Sequence, residues 1–174
     1  MTTYYAEYLV KRNKSFIGYI IVVLALVSGI LATLSLLPML FVQLYGMLAF
    51  LAIAGIWFVI YKIISSRNVE YEYCVTENVL DVDIITGKQK RKNLVSIDLK
   101  NAEIIAPATV EYEPQYNRQG IGEKHNASMF SNDVLDFFVI FTDDSGRIGR
   151  LVFTPNQSVL DMIKRANPSH TFFE

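Results

Sequence analysis

Hydrophobic and polar positions divide the chain into two parts with different patterns. From Phe16 to Tyr61 the residues are almost all apolar, and none is Asp, Glu, Lys, Arg or His. A single helix of this length would reach roughly 70 Å, more than twice the ~30 Å hydrocarbon core of a bilayer. The pattern therefore predicts an anchor over residues 16–64 with two transmembrane helices, at about 16–37 and 40–61, joined by a tight turn at Pro38.

Charges beside the predicted helices indicate their orientation. Basic residues collect on the cytoplasmic side of membrane helices, whereas the predicted turn carries no charge. The chain is therefore expected to be a two-span protein of the cell membrane, with residues 1–15 as a cytoplasmic N-terminal segment and both termini in the cytoplasm. The flanking basic residues are Lys11, Arg12, Lys14, Lys62 and Arg67.

Small residues form a stripe on each predicted helix, and such stripes let helix backbones approach closely in lipid. This pattern favours packing within the hairpin, with association into a homo-oligomer as the alternative. No ionisable residue lies inside either span, which argues against an ion path. The stripes are Ala25, Gly29 and Ala32 on the first helix and Ala49, Ala52 and Gly55 on the second.

Beyond the anchor, from residue 65 to residue 174, the pattern changes to an alternation with period two. Residues 69–75, 80–84 and 95–99 alternate between apolar and polar side chains, which predicts half-buried strands. Residues 135–142 are apolar on both faces and predict a buried strand, followed by a turn at Asp143-Asp144-Ser145-Gly146 and a returning strand.

The end of the chain has the pattern of an amphipathic helix. Thr154 is placed as its N-cap, Pro155 as its first residue, and Gln157 in a capping box. The apolar positions after it lie on one face, and Asn167-Pro168 ends the helix. Residues 107–133 show no regular periodicity and are expected to form a long irregular stretch.

Six or seven mostly antiparallel strands followed by one helix predict an α+β fold, a small β-barrel or sheet packed against a C-terminal helix. Pleckstrin-homology-like (PH-like) domains have this order of elements. Four segments carry a resemblance to a known family: Asn68-Val69-Glu70-Tyr71-Glu72-Tyr73; Lys90-Arg91-Lys92 through Ser96-Ile97-Asp98; Glu103-Ile104-Ile105-Ala106-Pro107; and Phe153-Thr154-Pro155-Asn156 with Leu160 and Ile163.

The chain resembles a family of two-span bacterial membrane proteins, domain of unknown function 6106, over nearly its whole length. The resemblance implies the architecture of a membrane hairpin followed by a PH-like domain. It implies no catalytic residue, because the family has no assigned activity to carry over.

Candidate chemistry in the sequence is sparse. The one cysteine, Cys74, excludes an intramolecular disulfide, and its strand face carries glutamates that oppose a thiolate assisted by His125 or His170. Asp81 and Asp83 share a strand face, which suits either an acid–base or cation pair or a solvated surface. With no glycine-rich phosphate loop and no cysteine cluster, the sequence predicts no catalytic residue, no cofactor and no metal ligand.

The basic run Lys88, Lys90, Arg91 and Lys92 is the candidate site. An anionic lipid surface attracts each nearby Lys or Arg by about 1 kcal/mol, so this run could contact the inner leaflet. The alternative is an edge strand kept soluble by lysines. From residue 65 onward the chain has 12 basic and 16 acidic residues, a net charge of −4, which weakens lipid attraction and opposes nucleic-acid binding.

These observations predict a membrane-anchored, non-enzymatic binding or scaffolding module that displays a PH-like domain at the inner membrane surface. Its expected partners are the lipid bilayer and a protein that the sequence does not identify. The alternative is a membrane-associated enzyme whose site is formed by the 107–133 stretch.

Overall fold

A computed structural model describes residues 5–13, 16–131, 133–143 and 145–173, so Lys14 and Asp144 of the sequence analysis lie outside the described residues. The chain forms two compact units. A helical unit covers positions 14–68, and a sheet unit combines positions 1–13 with positions 69–174. The chain therefore leaves the sheet unit after Asn13 and returns to it at Val69.

The helical unit consists of helix α1 (Phe16–Leu36), a 3-10 helix (Leu37–Phe41) and helix α2 (Gly46–Ser66). Both α-helices are long and apolar enough to cross a membrane. Only 6% of the most apolar stretch of the first and 11% of that of the second is buried inside the protein. Core helices of soluble proteins show the opposite, because their apolar faces are covered.

The connection between the helices differs from the predicted tight turn at Pro38. Pro38 lies in the first turn of the 3-10 helix, a position that needs no backbone N–H. The second helix begins at Gly46 instead of near Leu40. A Cβ at Gly46 would lie 2.7 Å from the carbonyl oxygen of Leu40. The backbone can therefore approach this closely only because residue 46 has no side chain.

The small residues on the two helices have different surroundings. A Cβ at Gly29 would lie 2.2 Å from Cδ1 of Ile60, and Ala49 is buried, so both positions serve close packing within the hairpin. A Cβ at Gly55 would meet no atom within 4 Å.

The first sheet is an antiparallel meander of four strands in chain order. Its strands are β1 (Tyr5–Lys11), β2 (Val69–Thr76), β3 (Val79–Thr86) and β4 (Lys90–Asp98). Residues 1–15 were expected only as a cytoplasmic N-terminal segment, so strand β1 was not predicted. Ala6 and Val10 on its inner face are buried, so β1 is an integral strand of the sheet unit.

The second sheet has the strand order β5-β7-β8-β6, and β6 pairs with β8 in parallel while the other pairs are antiparallel. Of the predicted alternatives, barrel or sheet, the barrel is wrong, because the described strands form two open sheets. A 3-10 turn at Leu99–Asn101 redirects the chain from one sheet to the other. The strands are β5 (Ala102–Pro107), β6 (Glu123–Ala127), β7 (Phe137–Thr142) and β8 (Ile148–Phe153).

The 107–133 stretch contains regular structure: a 3-10 turn at Val110–Tyr112, a short helix α3 (Glu113–Tyr116) and strand β6. Apolar side chains of this stretch cover the face of the second sheet that points away from the main core. This explains why β7 is apolar on both faces: one face packs in the main core and the other packs against this stretch. The members of this second cluster are Ala106, Phe138, Ile140 and Val152, with Ile104, Tyr112, Tyr116, Ile121 and Ile148 packed against them.

The C-terminal helix α4 (Gln157–Ala166) packs against the main core through Val159 and Ile163. The prediction of Thr154 as its N-cap is wrong: Asn156 caps the helix by accepting a 3.0 Å hydrogen bond from the N–H of Val159. The hydroxyl of Thr154 instead donates to Asp136 and accepts from the N–H of Met129, because Thr154 is buried beside both.

Candidate functional site

One end of the first sheet carries both the basic run and the chain connections to the helices. Lys11 at the end of β1 lies opposite Glu70 near the start of β2, so the β1–β2 connection contains both apolar helices. Glu70 lies opposite Ile85, and Ile85 lies opposite Arg91. The β3–β4 turn is therefore at the same end, which we call the exit end, and the β2–β3 turn is at the opposite end.

The β3–β4 turn presents its basic residues through an unusual backbone. Gly87 and Lys88 both have positive φ angles, 61° and 57°, and the N–H of Gln89 donates to the carbonyl of Thr86 at 3.3 Å. Successive residues with positive φ match the right-handed twist of a hairpin. The turn leaves the side chain of Lys88 exposed beyond the paired residues Thr86 and Lys90.

The four predicted lipid-contact residues are not equivalent. Arg91 lies on the outer face of the sheet, 2.6 Å from Asp83 and 2.5 Å from Glu72. Its hydrogen bond with Asp83 is the main cause that raises the pKa of the guanidinium. Lys90 and Lys92 are exposed on the other face, because side chains alternate along a strand. In the described part of the chain, no carboxylate forms an ion pair with these two lysines or with Lys88.

Two further basic residues, which sequence reasoning used only as markers of topology, belong to the exit end. Lys11 and Arg12 are exposed at the end of β1. The guanidinium of Arg12 lies 4.5 Å from the ring centroid of Phe130, and the N–H of Asn13 donates to the carbonyl of Met129 at 2.9 Å. The strand pairing, which no local pattern reveals, brings basic residues from two separate segments together.

The outer face of the first sheet beside Arg91 is acidic. Glu72 is only 6% exposed, and its pKa is raised first by desolvation and then by a hydrogen bond with Glu7. The pKa of Glu7 is lowered, mainly by the hydroxyl of Tyr5, which donates to it. The guanidinium of Arg91 occupies the position between Glu72 and Asp83, so this acidic face carries its own cation.

The structure does not assemble the other candidate residues into a reactive group. Cys74 lies opposite Asp81, and its Sγ is 3.6 Å from Oγ1 of Thr76. His125 lies on the second sheet, 3.4 Å from Glu123, and His170 contacts Asn167 at 3.0 Å. Among the residues that the structure describes, no group of three His, Cys, Asp or Glu residues could hold a metal ion.

The 107–133 stretch forms one side of an open cavity of about 410 Å³. Its lining offers a single carboxylate, from Glu113, with hydroxyl and amide groups beside it. An enzyme site needs several polar groups that converge on a reacting atom. The lining residues are Ala108, Thr109, Val110, Glu113, Tyr116 and Asn117.

Comparison with known proteins places the chain in a family. Neither curated proteins nor solved structures gave a significant match. A family model described as a bacterial PH-like domain (DUF6106) matches residues 2–173, a range that includes β1, both apolar helices, both sheets and α4. The meander, the second sheet and the C-terminal helix are consistent with a PH-like domain. The chain therefore belongs to the DUF6106 family of bacterial PH-like domains.

Proposed function

We propose that the protein is a membrane-anchored, non-enzymatic binding module whose two helices span the cell membrane and whose exit end faces the inner leaflet. One observation carries this proposal: both apolar helices lie within the connection that starts and ends at the exit end, where the basic turn also lies.

The dimensions and exposure of the helices support membrane insertion. Each has 21 residues, about 31 Å of helix, which matches the ~30 Å hydrocarbon core. Their apolar side chains are mostly exposed within the chain and would be covered by lipid. Insertion as a hairpin satisfies both requirements.

The pairing of β1 with β2 supports one topology. Lys11 and Glu70 are direct register partners, so the two ends of the helical unit are on the same side of the membrane. The basic residues on both outer flanks favour the cytoplasm as that side. Both termini are then cytoplasmic.

Three exposed lysines carry the proposed contact with anionic lipid: Lys88, Lys90 and Lys92. Each near the surface contributes about 1 kcal/mol, which falls off within a Debye length of about 8 Å at physiological salt. Arg91 contributes less, because Glu72 and Asp83 already match its charge. This contact orients a domain that the helices already hold at the membrane.

We favour a binding function over an enzymatic one because the lining of the 410 Å³ cavity presents one carboxylate and no nucleophile–base pair. The remaining surface of the sheet unit is proposed to bind a protein partner. Crosslinking in native membranes followed by identification of the captured protein tests this part, and a lack of any reproducible partner would count against it.

Reporter fusions test the topology. A reporter active only in the cytoplasm should be active when fused at Glu174, which lies outside the described residues. A reporter active only outside the cytoplasm should be active when inserted after Gln43, between the helices. Inactivity of the fusion at Glu174, with the full-length product present, would contradict the proposal.

A further inference from the structure

The segment between β6 and β7 carries three exposed apolar side chains. Phe130, Val134 and Leu135 are 48%, 43% and 50% exposed, and we call them the apolar triad. They interrupt a surface that is otherwise mostly polar at this segment, where Ser131 and Asp133 also lie. Exposed apolar groups that cluster on one short segment mark an interaction surface.

Backbone contacts fix the start of this segment, at Met129 and Phe130, beside the exit end. Asn13 donates its N–H to the carbonyl of Met129 at 2.9 Å, and Arg12 donates its N–H to the carbonyl of Val69 at 3.1 Å. Asn13 precedes Phe16, the first residue of α1, by three positions. A chain of three residues spans at most about 11 Å by any path, so the segment is tethered close to the start of α1.

Phe130 is held in an unfavourable conformation at this place. Its φ is +54°, in the left-handed region that bulky side chains avoid. Its ring lies under the guanidinium of Arg12, at 4.5 Å. A cation above an exposed ring combines a group that binds lipid phosphate with a group that enters the acyl region.

We propose that the apolar triad inserts into the headgroup–acyl boundary of the inner leaflet, with Arg12 at the level of the phosphates. This inference rests on the proposed function, since it requires α1 and α2 to span the membrane. The occupant is lipid because the covalent tether keeps the segment near the point where α1 enters the bilayer.

The apolar contact differs in kind from that of the lysines. Strands of a sheet are about 4.8 Å apart, so β1 and the β3–β4 turn are separated by roughly 12 Å across the exit end. An apolar contact on the β1 side and a basic contact on the β4 side fix how the sheet unit is tilted. The first contact is independent of salt and the second is weakened by it.

Site-specific fluorescence in the full chain tests the inference. The Cys74→Ser protein is reconstituted in nanodiscs of phosphatidylcholine and phosphatidylglycerol in equal amounts. Single cysteines at positions 130, 134 and 135 carry an environment-sensitive NBD label, and Glu77→Cys in the β2–β3 turn is the matched control at the opposite end. The labels at the triad should show blue-shifted emission and quenching by doxyl-labelled lipid, unchanged in high salt, and the label at position 77 should show neither.

Because Phe130 touches Arg12, its variant could disturb folding, so positions 134 and 135 supply independent readouts. Aqueous emission at all three positions in a protein that resists carbonate extraction overturns this inference and leaves the anchor intact. Loss of the protein from the membrane on carbonate extraction overturns the proposed function, and this inference with it. A blue shift in native membranes that is absent in nanodiscs overturns it in favour of a protein partner.

Discussion

Single buried polar groups connect the two sheets. The hydroxyl of Tyr73, fully buried on β2, donates to the carbonyl of Ala127 at 2.5 Å and accepts from the N–H of Thr154 at 3.3 Å. Burial raises the pKa of this hydroxyl, so it stays a neutral donor. Strand β6, the end of β8 and the first sheet therefore meet at one phenol.

Tyr73→Phe should lower the free energy of unfolding by about 1–3 kcal/mol, because it leaves the carbonyl of Ala127 and the N–H of Thr154 without their partner. Tyr71→Phe is the matched control: Tyr71 is also buried on β2, yet its hydroxyl makes no hydrogen bond within the described residues. Chemical denaturation of the detergent-solubilised chain measures both. Equal effects of the two substitutions would contradict the assigned role.

Asp143 gives a prediction with a defined pH dependence. A hydrogen bond from the Ser145 hydroxyl, followed by hydrogen bonds from Arg147, lowers the pKa of Asp143 to about 2. A lowered folded-state pKa stabilises the fold above the unfolded value of about 3.9, and this stabilisation is lost as the pH falls through about 2.

Asp143→Asn should therefore lower the Tm at pH 7, and its difference from the native chain should shrink between about pH 4 and pH 2. Thermal unfolding of both proteins across this range is the measurement. A difference in Tm that stays constant down to pH 2 would show that the charge of Asp143 has no part in it.

At the scale of elements, the local sequence pattern predicted which helices and strands exist better than it predicted where they begin and end. The helix near the C-terminus and the strands β2 and β3 have clear periodicity, β7 is a continuous apolar run followed by a turn and β8, and each of these elements is present. The start of α4 shifted because Thr154 and Asn156 are both good caps by type. Only the tertiary partner, Asp136, decides between them, and it hydrogen-bonds Thr154.

Two strands were missed for different physical reasons. Strand β6, Glu123–Ala127, has one buried residue among five, and pairs in parallel at a sheet edge, so its sequence lacks an apolar alternation. Strand β1 stands before the apolar helices, and only its pairing with β2, far along the chain, makes it a strand. The basic run could be singled out from the sequence, but the ion pairs of Arg91 could not, because they depend on cross-strand register.

Asn156→Ala should lower the free energy of unfolding by about 1 kcal/mol, because the N–H of Val159 loses its cap. Gln157→Ala is the matched control: it removes the exposed contact with Asp161, for which a few tenths of a kcal/mol are expected. Denaturation curves of the two variants compare them directly. A larger loss from Gln157→Ala would restore the capping-box reading.

At the scale of the whole molecule, the edge of the first sheet is formed by β1, a strand that lies before both helices in the chain. The N–H of Arg12 donates to the carbonyl of Val69, so the strand pair continues to that point.

We predict that a two-residue Asn-Gly turn in place of residues 13–68 yields a soluble, cooperatively folded domain, since such turns suit the twist of a hairpin. Residues 69–173 alone should aggregate, because β2 then becomes an open edge. Size-exclusion chromatography and thermal unfolding distinguish the two, and a folded 69–173 fragment would contradict the prediction.

The domain in which Asn-Gly replaces residues 13–68 also shows which basic residues at the exit end attract anionic lipid. It should bind vesicles of phosphatidylglycerol weakly at low salt and little at physiological salt, because residues 1–12 and 69–174 carry 13 basic and 17 acidic residues, a net charge of −4. The triple variant Lys88→Gln, Lys90→Gln, Lys92→Gln should abolish the binding at low salt, whereas Arg91→Gln should reduce it much less. Vesicle sedimentation measures this, and equal losses would show that the ion pairs of Arg91 do not matter.

The pairing of β1 with β2 also sets an order of events during biosynthesis. The ribosome completes β1 before either helix and begins β2 only after both, which at about 5–20 residues per second leaves β1 unpaired for roughly 3–12 s. Through that interval Ala6 and Val10 have no core to enter. In the proposed topology, a chain whose hairpin inserts correctly brings β2 back to the side of the membrane that holds β1, whereas a chain whose second helix fails to cross does not. With the proposed topology, we expect the domain to mature only on correctly inserted copies, and we expect an unpaired β1 to leave the other copies open to proteolysis.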